Sequence, residues 1–140
     1  MNFHAFHLMP YRHLDFEEAN KYASYWVVLP NKFYDPKKGA ALYQEYIEQL
    51  VFAAKCGFDG ICVNEHHQNA YGLMPAPNLI AMSLIERTRG MKNTIAVLGR
   101  ALPIVNNPVT IAEEFAMLDL LSEGRLITGF VRGIGCEYHS

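Results

Sequence analysis

The sequence holds 140 residues, about one domain's worth, with 51% hydrophobic residues and a formal net charge of -2; that supports a sizeable core and argues against disorder and, with no basic stripe, against a nucleic-acid partner. No apolar run reaches the roughly 20 residues of a membrane span, and the N-terminus lacks the basic-then-apolar pattern of a signal peptide. Cys56, Cys62 and Cys136 show no paired spacing, so the expected setting is soluble, reducing and cytoplasmic.

Phe3 to Met9 predicts a first strand, ended by Pro10. From Tyr11 to Gly39 no period holds, and aromatic residues crowd the segment: Tyr11, Phe16, Tyr22, Tyr25, Trp26, Phe33 and Tyr34. It is far longer than the roughly 2–6 residues usual between a strand and a helix. A lid, a binding loop or an inserted short helix is expected, with Glu17 to Tyr25 the candidate helix. Ala40 to Lys55 then carries Leu42, Tyr46, Leu50 and Ala53 at helical spacing, flanked by Tyr43, Ile47, Val51 and Ala54, and Gly57 ends it.

The next strand is the centre of interest. Asp59-Gly60-Ile61-Cys62-Val63 is followed at once by Asn64-Glu65-His66-His67. A strand alternates its faces, so Ile61 and Val63 share one face with Glu65, while Cys62 and Asn64 share the other with His66. With helices covering the first face, Asn64 and His66 look into the centre of the fold. Polar residues at the carboxyl end of a buried strand are where α/β enzymes keep their chemistry. Paired histidines also occur as satisfied loop residues, and the pattern alone does not choose.

A loop from Gln68 to Pro77 leads to a helix from Asn78 to Arg87, broken by Gly90. Thr94 to Leu98 is an almost wholly apolar third strand, as burial on both faces demands, with an exit loop from Gly99 to Asn107. Asn107-Pro108 is a cap followed by proline at the first helical position. Val109, Ala112, Phe115, Ala116 and Leu120 give that helix its apolar face, and Gly124 closes it. Arg125 to Val131 is a fourth strand. Strands alternating with helices imply right-handed crossovers and a parallel sheet in a single domain over residues 1–140. Two α/β architectures fit: an open doubly wound sheet, or part of a β/α barrel, of which a complete eight-fold example needs about 250 residues.

Several chemistries lack their residues. No Gly-x-Gly-x-x-Gly follows the first strand, where Met9-Pro10-Tyr11 stands, and no phosphate loop with Gly-Lys-Ser/Thr is present. His4 and His7 are three apart and face opposite ways on a strand, and His66 and His67 also diverge, so no metal site is expected. No serine or cysteine sits beside a base with an orienting acid.

The chain resembles the N-terminal half of the bacterial-luciferase-like flavin monooxygenases. The resemblance runs over nearly the whole chain. It rests on Gly57-Phe58-Asp59 leading to Glu65-His66-His67, on Leu102-Pro103, Asn107-Pro108-Val109 and Ala112-Glu113-Glu114, and on Leu118-Asp119 through Leu121-Ser122-Glu123-Gly124-Arg125, with Gly129 and Arg132-Gly133. It implies a TIM-type parallel β/α barrel of which about the first four units are present. It also implies reduced FMN supplied by a separate NAD(P)H-dependent reductase, O2 as co-substrate, and a flavin peroxide that oxidises a small organic molecule. His66 maps onto the family's catalytic histidine, as a base or hydrogen-bond partner. Phe6 would line the flavin pocket, Glu65 would touch the flavin mainly through its backbone, and Leu98-Gly99 would be the non-prolyl cis peptide against the ring. Arg132 would bind the FMN phosphate, for which a guanidinium fork is suited. Val131 stands where the luciferase catalytic subunit has a cysteine, strands 5 to 8 are missing, and the aromatic loop after the first strand is longer than in luciferase. A different substrate without light emission is therefore expected, and the chain is expected to be a homo-oligomer, inactive by itself. A deazaflavin-dependent hydride transferase of the same fold, and a non-catalytic flavin-binding or partner half-barrel, are the alternatives.

Overall fold

A computed structural model describes residues 1–25, 28–67, 70 and 72–133. Strands and helices alternate: β1 (His4–Phe6), α1 (Phe16–Ala19), α2 (Pro36–Lys55), β2 (Gly60–Val63), α3 (Pro77–Arg87), β3 (Thr94–Ala101), α4 (Pro108–Leu121) and β4 (Leu126–Val131), with 3-10 turns at Asn31–Phe33 and Leu102–Ile104. The strand pairings among the described residues are parallel, and the sheet order is β1-β2-β3-β4. This order decides between the two architectures. A doubly wound sheet reverses its strand order at a switch point, whereas a barrel adds each strand beside the last. The described residues form four consecutive units of a β/α barrel.

Register separates the two faces. Ala5, Ile61, Ile95 and Leu126 pair in one row, and all four belong to or pack on the core beneath the helices. The adjacent row is Phe6, Cys62, Ala96 and Ile127. Its central members are buried, but Phe6 remains 51% and Ile127 41% exposed. The core is thus one-sided, and the concave face is open.

Several boundaries differ from expectation for local reasons. Helix α2 starts at Pro36, four residues before Ala40, because Asp35 caps it by accepting from the Lys37 and Lys38 N–H groups; this is the same cap-then-proline start as Asn107-Pro108. Helix α3 likewise begins at Pro77 rather than Asn78. Strand β1 is shorter than Phe3 to Met9, since Met9 turns left-handed (φ 47°). The expected helix from Glu17 to Tyr25 shrinks to Phe16–Ala19, capped by Asp15. Beyond it, ring contacts of Tyr22 with Phe33 (5.6 Å) and Phe16 with Tyr25 (6.1 Å) outweigh helix continuation. The aromatic segment is tied down further: Tyr11 packs 5.0 Å from Tyr34, the Asp35 N–H donates to Tyr11 Oη, and Tyr46 Oη donates to the Pro10 carbonyl. Trp26 lies outside the described residues. Strand β3 runs on to Ala101, so Gly99 and Arg100 belong to the strand rather than to its exit loop.

Candidate active site

A cavity of about 350 Å3 opens at the carboxyl ends of the four strands. Every strand contributes: Phe6 ends β1 and Leu8 lies beyond it, Asn64 to His66 follow β2, Leu98 and Gly99 lie in β3, and Val131 ends β4 with Arg132 and Gly133 beyond it. Phe6, Glu65, His66, Leu98, Gly99 and Arg132, spread over 127 positions of sequence, line this one space.

The two histidines part company as strand alternation requires. His66 lines the cavity, half-buried, and its backbone N–H donates to the Met74 carbonyl (2.9 Å). The Met74 segment is itself anchored, since Leu73 N–H donates to the Met9 carbonyl and Gly72 bridges Pro10. His67 turns away from the cavity, with Nε2 2.6 Å from Glu65 Oε1. The Glu65 carboxylate is wholly buried and also accepts from the Ala101 N–H (3.2 Å). Arg100 Nη1 stands 2.6 Å from Glu65 Oε2 but off the hydrogen-bond axis, and Arg100 Nε has no partner among the described residues. That contact is Coulombic rather than directional. The carboxylate therefore joins the exit of β2 to that of β3 instead of reaching into the cavity.

Strand β3 is irregular where it meets the cavity. Val97 pairs with Thr128 and Arg100 with Phe130, so Leu98 and Gly99 together oppose the single residue Gly129; this is a bulge, a device that re-aims side chains beside active sites. The Leu98–Gly99 peptide is cis, at the position the resemblance assigns to one. Leu98 is 46% exposed on the cavity wall. A side chain at Gly99 would put its Cβ 2.7 Å from the Gly129 carbonyl carbon and oxygen, and one at Gly129 would meet the Val97 carbonyl oxygen at 2.6 Å. Both positions require glycine because backbone fills the space.

Arg132 sits at the cavity rim, exposed, with no carboxylate partner among the described residues. Asn64 was placed on the inward face by sequence but given no role. It is only 5% exposed, it lines the cavity, and its Oδ1 has no hydrogen-bond partner among the described residues. Phe6, Leu8, Leu98 and Val131 supply apolar walls. Such a space suits a flat, largely apolar ring with a hydrogen-bond donor, carrying an anionic tail that reaches Arg132.

The other histidines of β1 serve the fold. His7 Nδ1 accepts from the Met9 N–H (2.9 Å), which leaves Nε2 to donate to Gln49 Oε1 (2.9 Å), and its ring packs on Tyr46. His4 Nδ1 lies 3.7 Å from Cys62 Sγ, and burial pushes the Cys62 thiol above its ordinary pKa. Among the described residues no group of three His, Cys, Asp or Glu side chains is placed to hold a metal, and no helix is long and apolar enough to cross a membrane. A slightly larger cavity, about 390 Å3, lies at the amino ends of β3 and β4 among Met91, Lys92, Ser122 and Arg125. That end of a barrel serves stability, whereas its chemistry lies at the carboxyl end.

Comparison with known proteins agrees with this geometry. The chain is 32% identical over 101 residues to the oxygenase component of the flavin-dependent trigonelline monooxygenase of Acinetobacter baylyi, covering 71% of this chain and 27% of that protein. It is 38% identical over 81 residues to the alkanal monooxygenase beta chain of Aliivibrio fischeri, covering 58% and 24%. The oxygenating constituent of 3,6-diketocamphane monooxygenase of Pseudomonas putida, solved in complex with FMN, superposes with a TM-score of 0.68 at 18% identity, over 96% of this chain and 30% of that one. The chain thus spans between 24% and 30% of the length of these proteins. The family model of luciferase-like monooxygenases matches residues 24–136, and the chain belongs to that family.

Proposed function

We propose that this chain supplies the ring-facing part of the active site of an FMNH2-dependent monooxygenase acting on a small organic substrate. The observation that carries the reading is the convergence of Phe6, Glu65, His66, Leu98, Gly99 and Arg132 on one cavity at the strand exits. Reduced flavin, when bound, supplies the electrons that activate O2 for insertion of one oxygen atom. The chain's own residues do the rest. Phe6, Leu8 and Leu98 would give the ring its apolar walls. Arg132 binds the phosphate. His66, which lines the cavity with its backbone held by the bond to Met74, would hold or transfer a proton there. Glu65 contributes by position, its carboxylate being committed to His67, Arg100 and Ala101. The relative from Acinetobacter baylyi is by its description an oxygenase component, which supports a separate NAD(P)H-dependent reductase as the source of FMNH2.

The test compares FMN with riboflavin, which lacks the phosphate, in wild type and Arg132→Ala. Wild type is expected to prefer FMN by about tenfold or more, the scale of a charge-assisted hydrogen bond, and the variant is expected to lose most of that preference. Equal discrimination by both proteins would remove Arg132 from the phosphate site.

A further inference from the structure

Asn64 is the polar side chain of the cavity that the chemistry above leaves idle. Strand pairing in β2 ends at Val63, so Asn64 lies one step beyond the paired sheet, between the Cys62 layer and His66. The residue is only 5% exposed, yet its buried Oδ1 meets no donor among the described residues. A buried acceptor without a donor carries a desolvation cost, which a ligand N–H would offset. Isosteric leucine would carry no such cost at this position. A polar residue in that condition, lining a cavity with Phe6 and Arg132, points to an acceptor reserved for a ligand.

The ligand's chemistry follows from the flavin reading, on which this inference rests. Oδ1 accepts and cannot donate, so it faces an N–H. The oxidised isoalloxazine carries a single ring N–H, and reduction adds another at the central ring. We propose that Asn64 Oδ1 accepts a hydrogen bond from a ring N–H present only in the reduced flavin, and thereby makes the cavity favour FMNH2 over FMN.

Two measurements on wild type and Asn64→Leu test this. The first is thermal stability without flavin. Leucine removes the unpartnered acceptor, so Asn64→Leu is expected to melt at or above the wild-type temperature; a lower Tm would show that Asn64 serves the fold and would overturn the proposal. The second is titration with oxidised FMN and, anaerobically, with reduced FMN, carried to millimolar concentration. Wild type is expected to bind the reduced form more tightly. Asn64→Leu is expected to lower that ratio roughly fivefold, the scale of one net hydrogen bond, with oxidised FMN affinity little changed. An unchanged ratio, or equal weakening of both forms, would overturn the role of Asn64 while leaving the flavin reading intact. Failure of wild type to bind either form would remove the flavin reading itself, and this inference with it.

Discussion

Two neighbouring histidines show how one residue's phase along a strand sets its role. His66 leaves β2 on the concave side and lines the cavity, whereas His67 leaves on the helix side and meets a fully buried carboxylate. Their loss should therefore appear in different measurements. In an active holoenzyme, His66→Ala is expected to slow substrate oxidation by about 10²-fold or more, the usual scale for a proton-transferring side chain, with folding stability near wild type. His67→Ala removes one partner of Glu65 and leaves Arg100 and the Ala101 N–H in place. It is expected to cost about 2 kcal/mol of stability, as for a hydrogen bond to a buried charge, and to spare more of the turnover. Steady-state rates paired with urea denaturation separate the two. A larger rate loss from His67→Ala than from His66→Ala would reverse the assignment.

At the level of elements, the site depends on β3 and β4 touching backbone to backbone. Gly99 and Gly129 meet at the bulge that carries the Leu98–Gly99 peptide, and neither has room for a Cβ. Gly129→Ala lies outside the cavity lining, yet it must push β4 away from the Val97 carbonyl. The expected cost is about 3 kcal/mol, toward the upper end for overpacking, because backbone rather than a flexible side chain must yield. FMN binding should weaken with it, and a variant with wild-type stability and binding would show that the strands separate freely. This bulge was not legible in the sequence, since Thr94 to Leu98 reads as a plain buried strand and a residue's opposition across a sheet is a non-local fact. What was legible followed local periodicity: the apolar stripe of α2, the strand phase that turns Asn64 and His66 inward, and the Asn107-Pro108 start. The Asp35-Pro36 start carried the same signal but stood inside an aromatic segment without period. Arg125 shows the opposite limit. It reads as the first residue of a strand, but its half-buried guanidinium donates to Ser122 and Asn93 carbonyls and to Thr88 Oγ1, and burial lowers its pKa. The Ser-Glu-Gly-Arg run is thus a latch between the ends of α3 and α4, which only tertiary structure reveals. Asn64 has no role legible in sequence for a related reason: that its Oδ1 finds no partner among the described residues is a tertiary fact.

Across the whole molecule, the imbalance between the two sheet faces governs behaviour in solution. The helix side is closed over Ile61, Val63, Ile95 and Val97, all fully buried. The concave side leaves Phe6, Leu98, Ile127 and Val131 exposed, and among the described residues β1 and β4 each pair on one edge only. Contiguous apolar surface of this kind, bordered by unpaired strand edges, favours association. The 140-residue chain by itself is therefore expected to self-associate, or to require a second half-barrel, and to bind FMN weakly. Arg132 is the one guanidinium at the cavity rim among the described residues, and barrels usually build their phosphate sites from the last strands, which these four units do not include. Sedimentation across a concentration series, combined with FMN titration, tests both parts. Association that rises with concentration, together with weak binding, is the expected result. A monomer that binds FMN tightly and oxidises a substrate would show that four units form a complete site, and that the open face does not govern the chain's behaviour.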